Sequence, residues 1–216
     1  MKISVSYLSS IFDKKSTISL IDKSNADYIH VDLMDGKFVP KNNFNVKEVI
    51  KDLKNLEKPL DIHLMTYEPE KYIEDLASLK PEFVTFHLES NTDILSTIKL
   101  IKSKGIKVGI SIKPKTDIMY LENYLNDIDL ILIMTVEPGA GGQRFMFDMI
   151  DKVEDLNDLR YNKGYKYKIS VDGGINEYTA LRSYKAGVDM IVTGSYVCHH
   201  ENFNAQINNI KRIIGK

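Results

Sequence analysis

Residues 29–36 read IHVDLMDG, a run in which aliphatic residues alternate with polar ones. A period of two marks a strand, so His30, Asp32 and Met34 are expected on one face and Val31 and Leu33 on the other. Two further stretches repeat the pattern. LDIHLM at 60–65 aligns Asp61, His63 and Met65, and KISVDGG at 168–174 aligns Lys168, Ser170 and Asp172. Each of these strands carries a polar side chain near its C-terminal end.

Outward from this segment, β-branched or aliphatic runs predict eight strands, at 3–8, 28–33, 60–65, 83–87, 107–112, 130–136, 168–172 and 190–193. Between them, apolar residues return every three or four positions in 44–53, 70–79, 93–104 and 145–161, the spacing of amphipathic helices. Gly105, Gly164 and Gly187 follow helical stretches and precede strands, where a left-handed residue ends a helix. No linker or low-complexity tract divides residues 1–216, which are read as one domain. Eight strand–helix units in one undivided chain suit an α/β fold of the closed (β/α)8 TIM-barrel type, with parallel strands, better than a doubly wound sheet. The loops after the strands then gather on one rim, and chemistry is expected there.

Composition narrows the class of function. Apolar residues make up 43% and charged residues 27%, enough to bury a core and unlike a disordered chain. A net charge of −1 gives no field that attracts nucleic acid or an anionic membrane, so the expected partner is a small molecule. No apolar run has the length of a membrane span, and the N-terminus enters an alternating pattern without a signal-peptide cleavage site, which suits a cytoplasmic location. The lone cysteine, Cys198, has no disulfide partner and lies in apolar SYVC, a small core residue rather than a reactive thiol.

Imidazoles and carboxylates on strand faces that would line a barrel are out of place among the usual Val, Ile and Leu. A divalent cation held by four such groups would compensate their desolvation. Two neutral imidazoles and two carboxylates balance a 2+ charge, and a nitrogen and oxygen donor set suits Zn2+, Fe2+, Mn2+ or Co2+ better than Mg2+ or Ca2+. A single buried histidine is more often hydrogen-bonded structure than a ligand, so the joint pattern carries this reading. Asp61 and His87 read as partners behind a histidine or as structural polar groups. Glycines cluster after the last three strands: Gly141 and Gly142 in PGAGGQ, Gly173 and Gly174 after Asp172, and Gly194 with Ser195. One glycine pair is usually a turn, but three on one rim suit a cradle for phosphate.

The segments IHVDLMDGKFVP, LDIHLM, LILIMTVEPGAGGQRF and VDGGIN resemble, in order and through nearly the whole chain, the signature segments of the ribulose-phosphate 3-epimerase family. The resemblance implies a barrel that interconverts D-ribulose 5-phosphate and D-xylulose 5-phosphate. It implies one divalent transition metal on His30, Asp32, His63 and Asp172, with Asp32 and Asp172 also the acid/base pair. Ser6, in ISVSYLS, and His63 would contact the substrate, and Met34, Met65 and Met134 would surround the reacting carbon, although methionines at strand ends also serve as core filling. The reaction needs two acid/base groups and no organic cofactor. A homo-oligomeric state is left open.

Four positions depart from the family pattern. Val5 replaces a proline, Lys37 a histidine, Ala140 an aromatic residue and Ser170 a glutamate. Ala140 falls in the loop expected to cover substrate, which keeps allulose-6-phosphate 3-epimerase, an enzyme of a longer ketose phosphate, as the nearest alternative. A non-catalytic phosphosugar-binding barrel is a further alternative, against which the complete His/Asp set argues. A lysine-dependent decarboxylase or aldolase would have only Lys113, in IKPKT, which reads as a solvated loop charge.

Overall fold

A computed structural model describes residues 1–90 and 92–215. Eight parallel strands close into a barrel in chain order: β1 (Lys2–Ser6), β2 (Tyr28–Met34), β3 (Leu60–Met65), β4 (Phe83–His87), β5 (Lys107–Ile112), β6 (Leu130–Met134), β7 (Lys168–Asp172) and β8 (Met190–Thr193). The ring shuts where β1 pairs with β8, Ser4 opposite Val192 and Val5 opposite Thr193. This is the expected (β/α)8 barrel.

Both faces of the sheet are covered, so β2 and β3 are buried at every residue. Outward-facing Ile29, Val31, Leu33, Ile62 and Leu64 join the helices in one continuous apolar layer. Inward, Tyr28, Phe83, Leu130 and Met190 form a separate cluster at the N-terminal ends of β2, β4, β6 and β8. Four side chains from alternate strands make one layer of a TIM-barrel core, and here that layer floors the barrel. The polar interior above it can open only at the C-terminal rim.

The outer helices are α1 (Lys14–Asp22), α2 (Val46–Leu53), α3 (Glu70–Ala77), α4 (Ile94–Ser103), α5 (Met149–Lys163), α6 (Glu177–Lys185), a short α7 (Ser195–Cys198) and α8 (Phe203–Ile213). Their buried stripes keep the helical period, as with Phe203, Ile207 and Ile210 of α8. Asp13, Asn45, Asp93, Asn176 and Asn202 cap α1, α2, α4, α6 and α8 by accepting backbone N–H bonds. Gly105, Gly164 and Gly187 adopt the positive φ expected of helix-ending residues. No described helix is long and apolar enough to cross a membrane.

Several bounds differ from expectation, β6 among them, which ends at Met134 rather than residue 136, and some of the differences have local reasons. β1 ends at Ser6 rather than residue 8, because the Ser6 hydroxyl turns the chain by accepting the Leu8 N–H at 3.2 Å. The helix expected from residue 145 begins at Met149, since residues 145–148 first cross the rim, where the Met146 N–H donates to the Thr135 carbonyl at 2.8 Å. After β5 the chain forms only a 3-10 helix, Ile118–Tyr124, initiated by Asp117 and anchored by buried Leu121.

Candidate active site

The rim ends of β2, β3 and β7 bring His30, Asp32, His63 and Asp172 together, one ligand atom from each lying within 4.8 Å of the others. His30 Nε2 is 3.3 Å from Asp32 Oδ1 and 3.7 Å from Asp172 Oδ2, and His63 Nδ1 is 3.3 and 3.8 Å from the same two oxygens. Different ring nitrogens therefore face the centre. The reason lies behind each ring: His30 Nδ1 bonds Asp61 Oδ2 at 2.7 Å, and His63 Nε2 meets His87 Nε2 at 2.9 Å. The Ser4 hydroxyl donates to Asp61 Oδ2 at 2.9 Å, and the Ser6 hydroxyl donates to Asp32 Oδ2 at 2.7 Å, leaving Asp32 Oδ1 toward the two imidazoles. Asp61 thus stands where the sequence put it, behind a histidine.

The residues fit a divalent cation. His30 Nε2 is a buried ring nitrogen with no hydrogen-bond partner, aimed at two carboxylates. Such an atom is costly to leave unpaired, and a cation among these four groups would satisfy it. The electrostatics agree. Burial works against charge on His30, yet Asp32 and Asp61 outweigh it and raise its pKa well above the usual imidazole value. Burial likewise opposes ionisation of Asp32, but His30 and His63 hold that carboxyl far below the ordinary range. At Asp172 burial wins, helped by the charge of Asp32, and the pKa rises to about 6. Burial also keeps His87 neutral, lowering its pKa to about 4. The site draws positive charge to its centre, and two neighbouring carboxyls sit in environments that separate their proton affinities.

A cleft opens directly over this cluster. Ser6, Asp32, Met65, Met134 and Asp172 line its base, and Gly141, Gly142, Gly173, Gly174, Gly194 and Ser195 line its wall. All six residues expected around phosphate therefore share one cleft with Asp32 and Asp172, while the buried His30 and His63 lie outside its lining. Met34 lies outside that lining, fully buried against Met65, Phe38 and Val39. Ala140 is exposed at the mouth. Gly174 has φ +65°, and a Cβ there would stand 2.4 Å from the backbone nitrogen of Phe145. Backbone cannot yield as a side-chain tip can. Gly174→Ala is therefore expected to cost about 1–3 kcal/mol in chemical denaturation and to raise KM for the phosphorylated substrate.

The sequence matches the profile described as the ribulose-phosphate 3 epimerase family over residues 2–198. The chain belongs to this family. The ribulose-phosphate 3-epimerase of Bacillus subtilis (strain 168) is 36% identical over 215 residues, 98% of each chain. That of Treponema pallidum (strain Nichols) is 40% identical over 176 residues, 81% of this chain and 80% of the relative. Among solved structures, the 3-hexulose-6-phosphate synthase of Salmonella typhimurium superposes with a TM-score of 0.71 at 19% identity, covering 99% of this chain and 98% of its own. That likeness is one of fold.

Sequence reasoning passed over several residues of this ribulose-phosphate 3-epimerase family site. Ser9 reaches the cleft, its hydroxyl 1.7 Å from where a Cβ on Gly141 would lie. The Gln143 side chain pins the loop by donating to the Glu137 and Ala140 carbonyls, each at 2.7 Å. Neither position has a periodic signal, because both act through loop conformation. Lys113 is not a freely solvated charge, since its Nζ lies 3.9 Å from the centroid of the Phe38 ring.

Proposed function

We propose that this chain is a metal-dependent ribulose-phosphate 3-epimerase interconverting D-ribulose 5-phosphate and D-xylulose 5-phosphate by a 1,1-proton transfer. One observation carries the reading: Asp32 and Asp172, two members of the four-residue His/Asp cluster, line the same cleft as the glycine loops. A divalent transition cation, Zn2+, Fe2+, Mn2+ or Co2+, on these four residues would act as a Lewis acid toward developing negative charge, a contribution of several kcal/mol.

The remaining chemistry belongs to the chain. Inversion at a carbon next to a ketone requires one group to remove the C3 proton and another to return a proton to the opposite face. Asp32 and Asp172 fill these roles, exchanging base and acid duties with reaction direction. Asp32 is held ionised and is oriented by the Ser6 hydroxyl, while Asp172 sits near the working range of a proton donor and acceptor. As the first carboxylate takes the proton, the C–H electron pair passes to the ketone oxygen, giving an enediolate, and the second carboxyl then protonates the other face. Met65 and Met134, with Met34 packed behind, keep water from this species. Ser6 flanks the sugar, His63 acts from the cluster as a holder of the cation, and backbone N–H groups of the Gly141–Gly142, Gly173–Gly174 and Gly194–Ser195 loops receive the phosphate.

A longer substrate has one observation in its favour, the exposed small side chain of Ala140 at the mouth of the cleft. A coupled assay on both sugars decides. The account expects kcat/KM for ribulose 5-phosphate to exceed that for allulose 6-phosphate, and the reverse order would move the assignment to the hexulose enzyme. Phosphosugar binding with turnover of neither would leave only a binding barrel.

A further inference from the structure

The nitrogen of His63 turned away from the cluster enters a hydrogen-bond chain that the proposed reaction does not use. His63 Nε2 lies 2.9 Å from His87 Nε2, and His87 Nδ1 lies 3.2 Å from Glu89 Oε2. The other carboxylate oxygen, Glu89 Oε1, accepts the Lys113 backbone N–H at 2.8 Å and the Thr116 hydroxyl. Both imidazoles are completely buried. The chain thus runs from β3 through β4 to the loop that follows β5.

Its polarity is fixed from the far end. An ionised carboxylate only accepts, and Glu89 is held ionised by these contacts against the effect of burial, so His87 Nδ1 must carry the hydrogen it shares with Glu89. An imidazole that holds a cation through Nδ1 carries its hydrogen on Nε2, so His87 Nε2 is the acceptor in its contact with His63. Two ring nitrogens 2.9 Å apart need one hydrogen between them, and it must come from His63 Nε2. His63 Nδ1, which faces Asp32 Oδ1 at 3.3 Å and Asp172 Oδ2 at 3.8 Å, would then present its lone pair to a cation bound among them.

We propose that Glu89 and His87 are positioning residues, a two-step relay that locks His63 in the Nε2–H tautomer and presents Nδ1 to the cation. The inference rests on the metal reading above. It also explains why the two imidazoles face the centre through different nitrogens: His30 is oriented in one step by Asp61 at 2.7 Å, His63 in two steps by Glu89 through His87. The rings are held in register by packing, with the His87 centroid 4.7 Å from that of Phe38 and 5.0 Å from that of His63.

Two measurements test the relay. In 15N-histidine-labelled wild-type protein, long-range 1H–15N correlation should show His87 with hydrogen on Nδ1 and a bare Nε2, both metal-free and with Zn2+. Hydrogen on His87 Nε2 would overturn the proposal, and this arm needs neither a variant nor bound metal. In chelator competition, His87→Leu should weaken Zn2+ binding about 10–100-fold, the usual effect of removing a partner behind a ligand. His87→Gln, whose amide oxygen can accept from His63 Nε2–H, should recover most of the loss. Wild-type affinity in His87→Leu would also overturn the relay. Wild-type protein that binds no Zn2+ would instead overturn the metal reading, while its His87 tautomer would still be readable.

Discussion

Asp172→Asn is expected to abolish exchange of the substrate's C3 hydrogen with solvent deuterium while leaving the barrel folded. The side chain ends β7 beside the cleft, 18% exposed, and its replacement is isosteric, so packing around it is preserved. What changes is the chemistry: an amide cannot take up or release the proton that a carboxyl with a pKa of about 6 can. A positioned acid/base group contributes about 10²–10⁴-fold, and the variant also loses a negative charge beside the proposed cation, so kcat should fall by at least about 10³-fold. Loss of the C3 proton signal in D2O, followed by NMR, measures this directly, with far-UV circular dichroism as the control for folding. Exchange near the wild-type rate would remove Asp172 from the reaction.

Loading the metal-stripped protein with Zn2+ should raise its Tm by about 5–10 °C at a free concentration near 100 times Kd. The arithmetic is a stabilisation of about 2.7 kcal/mol and about 2–4 °C per kcal/mol for a chain of this size. The physical source is the crowding of carboxylates around His30 and His63, where a proton on His30 partly stands in for the missing charge. Loading at neutral pH should therefore release a proton, visible in calorimetry as a dependence on the ionisation enthalpy of the buffer. His30→Ala should erase the thermal shift and also lower stability by about 3–5 kcal/mol, because Asp61 is left buried beside Ser4 without its imidazole. An unchanged thermal shift in His30→Ala would place the cation elsewhere.

The parts of this molecule that were legible in its sequence are those governed by short-range period. Alternation along IHVDLM and LDIHLM put His30, Asp32 and His63 on the inner face, and both runs form strands at those positions. Asp172 was legible because it closes a strand and opens a glycine turn. Features that depend on register between strands were not. The contact of His63 with His87 requires β3 and β4 to lie side by side with His63 level with Thr85, which no spacing within either strand encodes. Glu89 is fixed beside His87 by the loop after β5, and Ser9 enters the cleft only through the fold of the rim. The 3-10 helix in place of an α-helix after β5 is a tertiary outcome of the same kind.

Anomalous diffraction at the absorption edge of the loaded metal, on crystals soaked with a single transition cation, tests the central claim most directly. The expected result is one strong site per chain, bonded to His30 Nε2, His63 Nδ1 and the carboxylates of Asp32 and Asp172. A cation bound away from these atoms, or none in protein that still epimerises at full rate after stripping, would contradict it.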